Sequence, residues 1–496
     1  MILEEELLNS YPAAQAIAPE VIATAVQASG RILVVLDDDP TGTQSVADLP
    51  VLTSWEPSDF AWAFAQRIGG APAPAVYVLT NTRSLDPETT ASRNREIVTN
   101  SLDAATEAGV TIGFVSRSDS TLRGHFPLET DVIAETLLDS TGAQTDGVVM
   151  VPAFPDAGRV TIGSVHYLRG TDGALTPVAE TEFAKDATFG FTSSDLGDYV
   201  AEKTGGSASA VIRLDLSIIR GGAQGIADAL IHASDAVPIV VDAVTEDDLR
   251  ALALGLEEAE SRGKQLLYRV GPPFVRARIG QQERAPLTAD EVFAGLDAPA
   301  TGGLIVVGSH VGLTTRQLDA LVARRPEAKL VELNVEAVLD PARRDAGVAE
   351  AVRAVVDGLP TGEVILHTSR TLIRSDDPEQ SLDIARTISQ AVVDVVRETI
   401  ATAPVRFVIA KGGITSSDVA AHGLSIRHAL VRGPMLPGIV SLWQPADGPA
   451  KSIPFVVFAG NVGTDDSLAD VVDILRSPAA SPATASSSTT GTSDDS

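Results

Sequence analysis

Short apolar runs rich in valine and isoleucine recur along this chain, and segments with the periodicity of amphipathic helices separate them. Such runs are typical of strands buried on both faces, so the pattern predicts βαβ units in a mostly parallel sheet. Strands are predicted at 32–35, 77–79, 112–115, 148–151, 211–214, 239–241, 266–270, 304–307, 330–333, 364–366, 407–410 and 455–458. The main helices are predicted at 88–108, 128–138, 316–324, 346–358 and 380–400.

The alternation of strands and helices is interrupted once, which predicts an α/β protein of two domains. Each domain is expected to contain a mostly parallel sheet flanked by helices. The interruption lies in a stretch rich in Gly, Pro, Arg and Gln at 271–299, where Pro272-Pro273 predicts an extended segment. The predicted parts are a helical extension (1–30), a first domain (31–275), a linker (276–302), a second domain (303–476) and a disordered tail (477–496) rich in Ser, Thr and Ala.

Charge restricts the partners more than composition does. The 496 residues are 44% apolar and 21% charged, as in an ordinary globular protein, and no apolar run is long enough to span a membrane. The absence of cysteine excludes disulfides and thiolate metal sites. The N-terminus is acidic, unlike a secretory signal, which favours a cytoplasmic location. The net charge of −29 opposes binding to nucleic acid and to anionic membranes, so an anionic substrate needs a local basic pocket.

Two polar segments directly follow predicted strands, at the edge where open α/β sheets bind ligands. They are Asp-Asp-Asp-Pro-Thr-Gly at 37–42 and Ser-Arg-Ser-Asp-Ser-Thr-Leu-Arg-Gly-His at 116–125. Adjacent carboxylates repel one another and resist burial, so the aspartates are expected near a cation, a metal or substrate hydroxyls. Arginine can hold a carboxylate through two hydrogen bonds, which suits Arg117 and Arg123 to a small hydroxylated anion. The simpler alternatives are a solvated acidic turn and a helix cap formed by the hydroxyls at 120–121.

Two further segments at strand ends carry arginine. Asn-Thr-Arg-Ser at 81–84 offers an amide and the Arg83 guanidinium, and the proline-rich loop at 151–159 presents Arg159. For the second segment, a purely structural corner shaped by its prolines is the alternative.

Three glycine-containing loops follow strands of the second predicted domain. They are Gly-Ser-His at 308–310, Lys-Gly-Gly-Ile-Thr-Ser-Ser-Asp at 411–418 and Gly-Asn-Val-Gly at 460–463. Glycine lets the backbone approach phosphate oxygens closely, so three such loops at the ends of one sheet favour a nucleotide site. The chain has neither a Walker A motif nor a GxGxxG fingerprint, so the pattern does not indicate a P-loop or a dinucleotide site.

These motifs resemble the four-carbon acid sugar kinase family from about residue 32 to residue 475. The family's Asp-Asp-x-Thr-Gly corresponds to 38–42, its Lys-x-Asp-Ser-Thr-Leu-Arg-Gly resembles 117–124, and its Pro-Ala-x-Pro…Gly-Arg loop corresponds to 152–159. The resemblance implies ATP-dependent phosphorylation of a sugar acid such as erythronate, threonate or 3-oxo-tetronate, with Mg²⁺ bridging the phosphates. It also implies that the first domain binds the sugar acid and the second binds ATP, with the active-site cleft between the two domains.

Site residues follow from the motifs and from the resemblance together. The expected sugar-acid contacts are Asp39, Thr41, Arg83, Arg117, Ser120, Arg123, Gly124, Pro152 and Arg159. The expected nucleotide contacts are Ser309, Lys411, Gly412, Gly413, Thr415, Gly460 and Gly463.

Within this set, the roles of the charged residues remain open at several points. Asp38 or Asp119 is expected to orient or deprotonate the attacking hydroxyl. Arg123, together with Arg117 or Arg159, is expected to hold the substrate carboxylate. The metal ligands are not assigned, and a homo-oligomer is one option for the quaternary state.

The chain departs from the family pattern at three positions. Arg117 replaces a lysine, Ile414 stands where a carboxylate is common, and Phe458 stands where many members have lysine. Lys411 is expected to supply the missing charge beside the phosphates. Two alternatives remain, a non-catalytic sugar-acid-binding protein with a degenerate nucleotide site and another sugar-acid enzyme such as an aldolase or isomerase.

Overall fold

The structure, a computed structural model, describes residues 2–39, 41–170, 172–369 and 378–476. The predicted disordered tail at 477–496 lies outside these residues. The strands before residue 300 are β1 (Ile2–Leu3), β2 (Arg31–Asp37), β3 (Leu49–Leu52), β4 (Arg67–Ile68), β5 (Ala71–Pro72), β6 (Ala75–Leu79), β7 (Thr111–Arg117), β8 (Gly147–Val151), β9 (Arg159–Ile162), β10 (Val165–Arg169), β11 (Ala174–Pro177), β12 (Ile212–Leu214), β13 (Val237–Val241) and β14 (Leu266–Val270). The strands after it are β15 (Leu304–Val307), β16 (Lys329–Leu333), β17 (Val364–Thr368), β18 (Val408–Lys411), β19 (His428–Leu436), β20 (Ile439–Pro445) and β21 (Phe455–Phe458).

Helices separate most of these strands. Before residue 300 they are α1 (Glu4–Leu8), α2 (Pro19–Ser29), α3 (Pro57–Phe64), α4 (Pro87–Ala108), α5 (Leu128–Thr141), α6 (Leu196–Thr204), α7 (Leu216–Arg220), α8 (Ala223–Leu230), α9 (Glu246–Ser261), α10 (Pro273–Arg278) and α11 (Ala289–Phe293). After it they are α12 (Gly312–Arg324), α13 (Val335–Leu339), α14 (Arg344–Gly358), α15 (Pro378–Thr402), α16 (Gly413–Asp418) and α17 (Ser467–Arg476).

Local sequence signals set many of the helix bounds. Helix α4 begins after Asp86, whose side chain accepts a hydrogen bond from the Thr89 N–H, and a reciprocal capping box starts α9 at Thr245. The extended segment predicted at Pro272-Pro273 is wrong, because these residues start α10. Proline is tolerated in the first turn of a helix, where its missing N–H would have no partner in the helix.

The strands of both halves join in one sheet of 15 strands, in the order β12-β13-β8-β14-β7-β2-β6-β3-β19-β20-β21-β18-β15-β17-β16. From β12 to β3 all neighbours are parallel, and from β21 to β16 they are parallel again. The antiparallel hairpin β19–β20 joins the two parallel sets by pairing with β3 on one side and β21 on the other. The prediction of mostly parallel α/β sheets is therefore confirmed, and the two sheets are continuous.

The hairpin also explains how the carboxyl ends of both parallel sets reach the same cleft. The three antiparallel pairings reverse the strand direction between the two sets. From β2 to β18 the sheet takes six steps. At roughly 20–25° of twist a step, these add up to about 120–150° and turn the second set back toward the first.

A small antiparallel sheet packs beside the first half. It has the order β1-β11-β10-β9, so the N-terminal extension is not wholly helical as predicted, because Ile2 and Leu3 pair with β11. The cores of the large sheet lie on both of its faces, under the flanking helices, which is why the central strands are almost continuously apolar. Among the described residues, no helix has both the length and the apolar character that crossing a membrane requires.

Candidate functional site

A continuous cleft of about 1150 Å³ lies where the carboxyl ends of the two strand sets face each other. Most of the residues predicted for substrate, catalysis and nucleotide line it. From the first half these are Asp38, Asp39, Thr41, Arg83, Arg117, Asp119, Ser120, Arg123 and Arg159. From the second half they are Ser309, Gly412, Gly413, Thr415, Gly460 and Gly463. Gly124, Pro152 and Lys411 do not line it.

A buried ion pair stabilises the loop at 37–42. Asp37 at the end of β2 and Arg117 at the end of β7 are partners in the strand register, and their side chains meet in an ion pair. Arg117 also donates to the Asp39 carbonyl oxygen at 2.9 Å. A Cβ atom on Gly42 would collide with both charged groups, which explains a glycine at this position. The Arg117 charge is thus largely used inside the protein, and burial lowers the pKa of its guanidinium to about 10.

The neighbouring carboxylates bind Arg83. Arg83 donates to both oxygens of Asp38, from Nε at 3.1 Å and from Nη2 at 2.6 Å, and to Asp39 Oδ2 at 3.2 Å. Asp38 is 1% exposed. Burial raises the pKa of Asp38 to about 7, although the nearby Arg83 charge opposes the shift. Asp38 is therefore a carboxyl group that can exchange a proton near neutral pH.

Asp119 lies in a different electrostatic environment. It accepts a hydrogen bond from Arg123 Nε at 2.8 Å and another from the Thr121 hydroxyl. Burial alone would raise the pKa of Asp119, but the Arg83 and Arg123 charges outweigh it and hold the pKa well below its usual range. Asp119 is consequently ionised at all physiological pH values.

Arg159 differs from the other three cleft arginines because it makes no ion pair among the described residues. Its Nη1 donates to the Ala157 carbonyl oxygen at 2.6 Å, and its buried Nε has no hydrogen-bond partner there. Burial lowers the pKa of Arg159, with a weaker opposing influence from Asp119. The loop that presents it contains the short 3₁₀ turn Pro155–Ala157, as its prolines suggest. Its charge is thus available to an anionic ligand.

Gly124 supports the site from behind. Gly124 has φ +114°, and a Cβ atom there would lie 3.2 Å from Asp38 Oδ2 and 3.3 Å from Arg269 Nη2. Arg269 forms a buried ion pair with Glu129 at 3.3 Å, and its Nη2 donates to the Arg123 carbonyl oxygen at 3.4 Å. Sequence reasoning missed this pair, because an arginine inside an apolar strand pattern gives no signal of its partner on another element.

The three glycine loops lie side by side in the second half because β15, β18 and β21 are neighbouring parallel strands. The Gly412 N–H donates to the Phe458 carbonyl oxygen at 2.8 Å, and its φ of +130° is a conformation that L side chains rarely adopt. A Cβ atom on Gly413 would meet no atom within 4 Å, so the backbone there is open to the cleft. Close backbone approach to a ligand is possible at both glycines.

Lys411 is placed differently from the prediction. Its side chain is fully buried, and Nζ donates to the Ala459 carbonyl oxygen at 2.6 Å and lies 3.8 Å from the centre of the Phe458 ring. Burial lowers the pKa of Lys411 to about 7. It therefore does not offer a charge directly to a ligand in the cleft.

Part of the cleft lining is apolar. Ile384, Ile388 and Val392 of α15 belong to this part, as does Ile414, which is 58% exposed. Sequence reasoning missed the three α15 residues, because an apolar stripe at helical spacing looks the same whether it packs on a core or borders a ligand site. Such a surface suits a flat apolar group such as a nucleobase.

Comparisons with known proteins agree with this division of the cleft. Residues 33–278 match the sugar-binding N-terminal domain, and residues 304–468 match the nucleotide-binding C-terminal domain. The chain belongs to the four-carbon acid sugar kinase family. One wall of the cleft is thus part of a sugar-binding domain, and the other is part of a nucleotide-binding domain.

Solved structures share the fold. A Haemophilus influenzae protein is 18% identical with a TM-score of 0.60, and the match covers 89% of this chain and all of that one. A Salmonella typhimurium LT2 protein that carries the name of a tRNA synthase is 18% identical with a TM-score of 0.65, and the match covers 88% and 98% of the two chains. At this identity the likeness shows the fold alone. No curated protein matches this sequence.

Proposed function

We propose that this protein is an ATP-dependent kinase that phosphorylates a hydroxyl group of a short sugar acid, of the four-carbon type exemplified by erythronate, threonate and 3-oxo-tetronate. The observation that carries the proposal is the shared cleft, with an arginine and aspartate cluster on its sugar-binding wall and glycine loops on its nucleotide-binding wall. Phosphoryl transfer depends mainly on alignment and charge neutralisation, and the two walls supply these from opposite sides.

Arg159 is the proposed anchor of the substrate carboxylate. The other three arginines already face Asp37, Asp38, Asp39 or Asp119 in ion pairs, whereas Arg159 has none among the described residues. A guanidinium holds a carboxylate through two parallel hydrogen bonds, which fixes the orientation of the sugar acid as well as attracting it. Arg123 is the proposed second contact, and Ser120 and Thr41 offer hydroxyls to the substrate.

Asp38 is the proposed base, and Asp119 is proposed to bind and orient the substrate hydroxyls. A general base works best when its pKa lies near the working pH, which is the case for Asp38 with a pKa of about 7. Asp119 is too weak a base for this step because neighbouring arginines hold its pKa low. The proton of the attacking hydroxyl would pass to an oxygen of Asp38 as the hydroxyl oxygen bonds to the γ-phosphorus of ATP. The bond from that phosphorus to the β–γ bridging oxygen would break, and ADP would leave with the electron pair.

The glycine loops are proposed to bind ATP. Ser309, Gly412 and Thr415 would surround the phosphates, and the apolar part of the cleft lining would contact the nucleobase. The described residues contain no group of three side chains that could hold a metal ion. Proteins often hold Mg²⁺ through substrate phosphates and one or two carboxylates. Asp39 is the cleft carboxylate suited to this, since 26% of its side chain is exposed. When bound, Mg²⁺ would neutralise charge on the phosphates.

ADP release measured with ATP and Mg²⁺ over a panel of C4 acids, with both D- and L-isomers, tests the proposal. Turnover of at least one acid is expected. A well-folded protein that turns over none of the C4–C6 sugar acids would refute the kinase. Thermal stabilisation by a sugar acid but by no nucleotide, with or without that acid, would instead favour a binding protein.

A further inference from the structure

Backbone carbonyl groups in and beside the glycine loop at 460–463 accept hydrogen bonds from three buried polar side chains. Lys411 Nζ donates to the Ala459 carbonyl oxygen at 2.6 Å, and Thr314 Oγ1 donates to the Gly460 carbonyl oxygen at 2.8 Å. Gln317 Nε2 donates to the carbonyl oxygens of Val462 at 3.0 Å and of Thr464 at 2.7 Å. All three side chains belong to fully buried residues, whereas the loop from 459 to 463 lines the cleft. These carbonyl groups therefore point away from the cleft.

Peptide geometry then fixes where the amide hydrogens point. In a trans peptide the C=O and the N–H of the next residue point in opposite directions. With the carbonyls of 459, 460 and 462 turned inward, the N–H groups of Gly460, Asn461 and Gly463 are directed toward the cleft. None of these three N–H groups donates to another group in the described part of the chain. Converging backbone N–H groups with no internal acceptor form a concave site for an anion.

We propose that Thr314, Gln317 and Lys411 are positioning residues that hold the 459–464 loop as a backbone cradle for the phosphate groups of the nucleotide. This rests on the proposed function and extends it, because it assigns phosphate recognition to amide hydrogens. It also gives Lys411 a role that fits its burial. The ammonium is turned into the protein, where it contacts a carbonyl oxygen and an aromatic ring, and it acts on the ligand through the loop.

The placement of two of these residues links two loops. Thr314 and Gln317 are three residues apart on α12 and share one face of the helix. That helix begins at Gly312, directly after the loop at 308–311 that also lines the cleft. A displacement of the 308–311 loop would therefore move α12, and with it the Thr314 and Gln317 side chains that hold the 459–464 loop. This link was not predicted from the sequence, because Thr314 lies before the helix predicted at 316–324 and Gln317 lies in its first turn.

Isothermal titration with ATP, adenosine and tripolyphosphate on Thr314→Val, Thr314→Ser and wild type tests the cradle. Thr314→Val keeps the shape of the side chain but removes the donor to Gly460, whereas Thr314→Ser keeps the donor. We expect Thr314→Val to weaken ATP and tripolyphosphate about tenfold, as loss of one hydrogen bond would, with adenosine unchanged and Thr314→Ser near wild type. Gln317→Met is the second variant, with the same expected pattern, should Thr314→Val fail to fold.

The outcomes separate this inference from the proposed function. Folded variants that bind ATP as wild type does, or that lose ATP and adenosine equally, would overturn the cradle. Wild-type protein that binds tripolyphosphate but no nucleotide would support the cradle and count against the kinase. Wild-type protein that binds neither ATP nor tripolyphosphate would overturn both.

Discussion

Replacing Arg159 by alanine tests the charge arrangement of the cleft most directly. Four aspartates (37, 38, 39 and 119) face four arginines (83, 117, 123 and 159), and only Arg159 lacks an ion pair among the described residues. A charge-assisted bidentate hydrogen bond to the substrate carboxylate is worth about 1.5–3 kcal/mol. Its loss should raise KM for the sugar acid about 10- to 150-fold. The variant also leaves the cluster with an excess of negative charge, which adds repulsion to the same substrate.

Steady-state kinetics with varied sugar acid at saturating ATP measures this effect, and KM for ATP serves as the internal control. Arg159→Lys keeps the positive charge but loses the planar fork, so an intermediate KM is expected. Arg123→Ala should also raise KM for the acid, but by less, because the Arg123 guanidinium already pairs with Asp119 at 2.8 Å. An unchanged KM in Arg159→Ala together with a large increase in Arg123→Ala would refute the assignment and make Arg123 the anchor.

Three further predictions concern the base, the nucleotide loops and the buried ion pair. If Asp38 is the base, kcat rises as the pH increases through about 7 and Asp38→Asn lowers it by about 10²–10⁴-fold; a flat profile from pH 6 to 8 would contradict this. Gly413→Val should fold normally, because its Cβ enters open space. The variant should lose the thermal stabilisation by ATP, which is about 2.7 kcal/mol at an ATP concentration of 100 times Kd, but it should keep the stabilisation by the sugar acid. Asp37→Asn leaves the buried Arg117 charge without its main partner and should lower the free energy of unfolding in urea by about 3–5 kcal/mol. In the exposed pair with Arg343, Asp340→Asn should lower the free energy of unfolding far less, and equal losses for the two variants would refute the reasoning.

The alternation of apolar runs and amphipathic segments was enough to predict the class of fold. Helix α4 was predicted at 88–108 and is Pro87–Ala108, and helix α14 was predicted at 346–358 and is Arg344–Gly358. The hairpin β19–β20 was not predicted. Its first strand contains Gly433-Pro434 next to a bulge, which interrupts the apolar pattern that marks a strand.

The candidate site shows the same division between local and long-range information. Polar motifs after apolar strands predicted which residues reach the ligand edge of the sheet, and the cleft contains most of them. The family resemblance supplied the assignment of one domain to sugar acid and the other to nucleotide, and the matching domains agree with it. The individual roles of the site residues stay predictions.

The sequence by itself determined where strands end and which chemical groups follow them. A strand buried on both faces is a short, continuous apolar run, and its end is marked by the first polar residues after it. The tertiary structure decided how those charges are shared. Asp37 and Arg117 are 80 residues apart and meet only because β2 and β7 are neighbours in register, which leaves Arg159 as the one of the four cleft arginines without an ion pair to a described residue. It also buried Lys411 beneath the loop that it was expected to face. Local patterns indicate which strands and helices are buried, whereas the burial and the partner of a polar side chain such as Lys411 depend on contacts between distant segments that only the folded chain brings together.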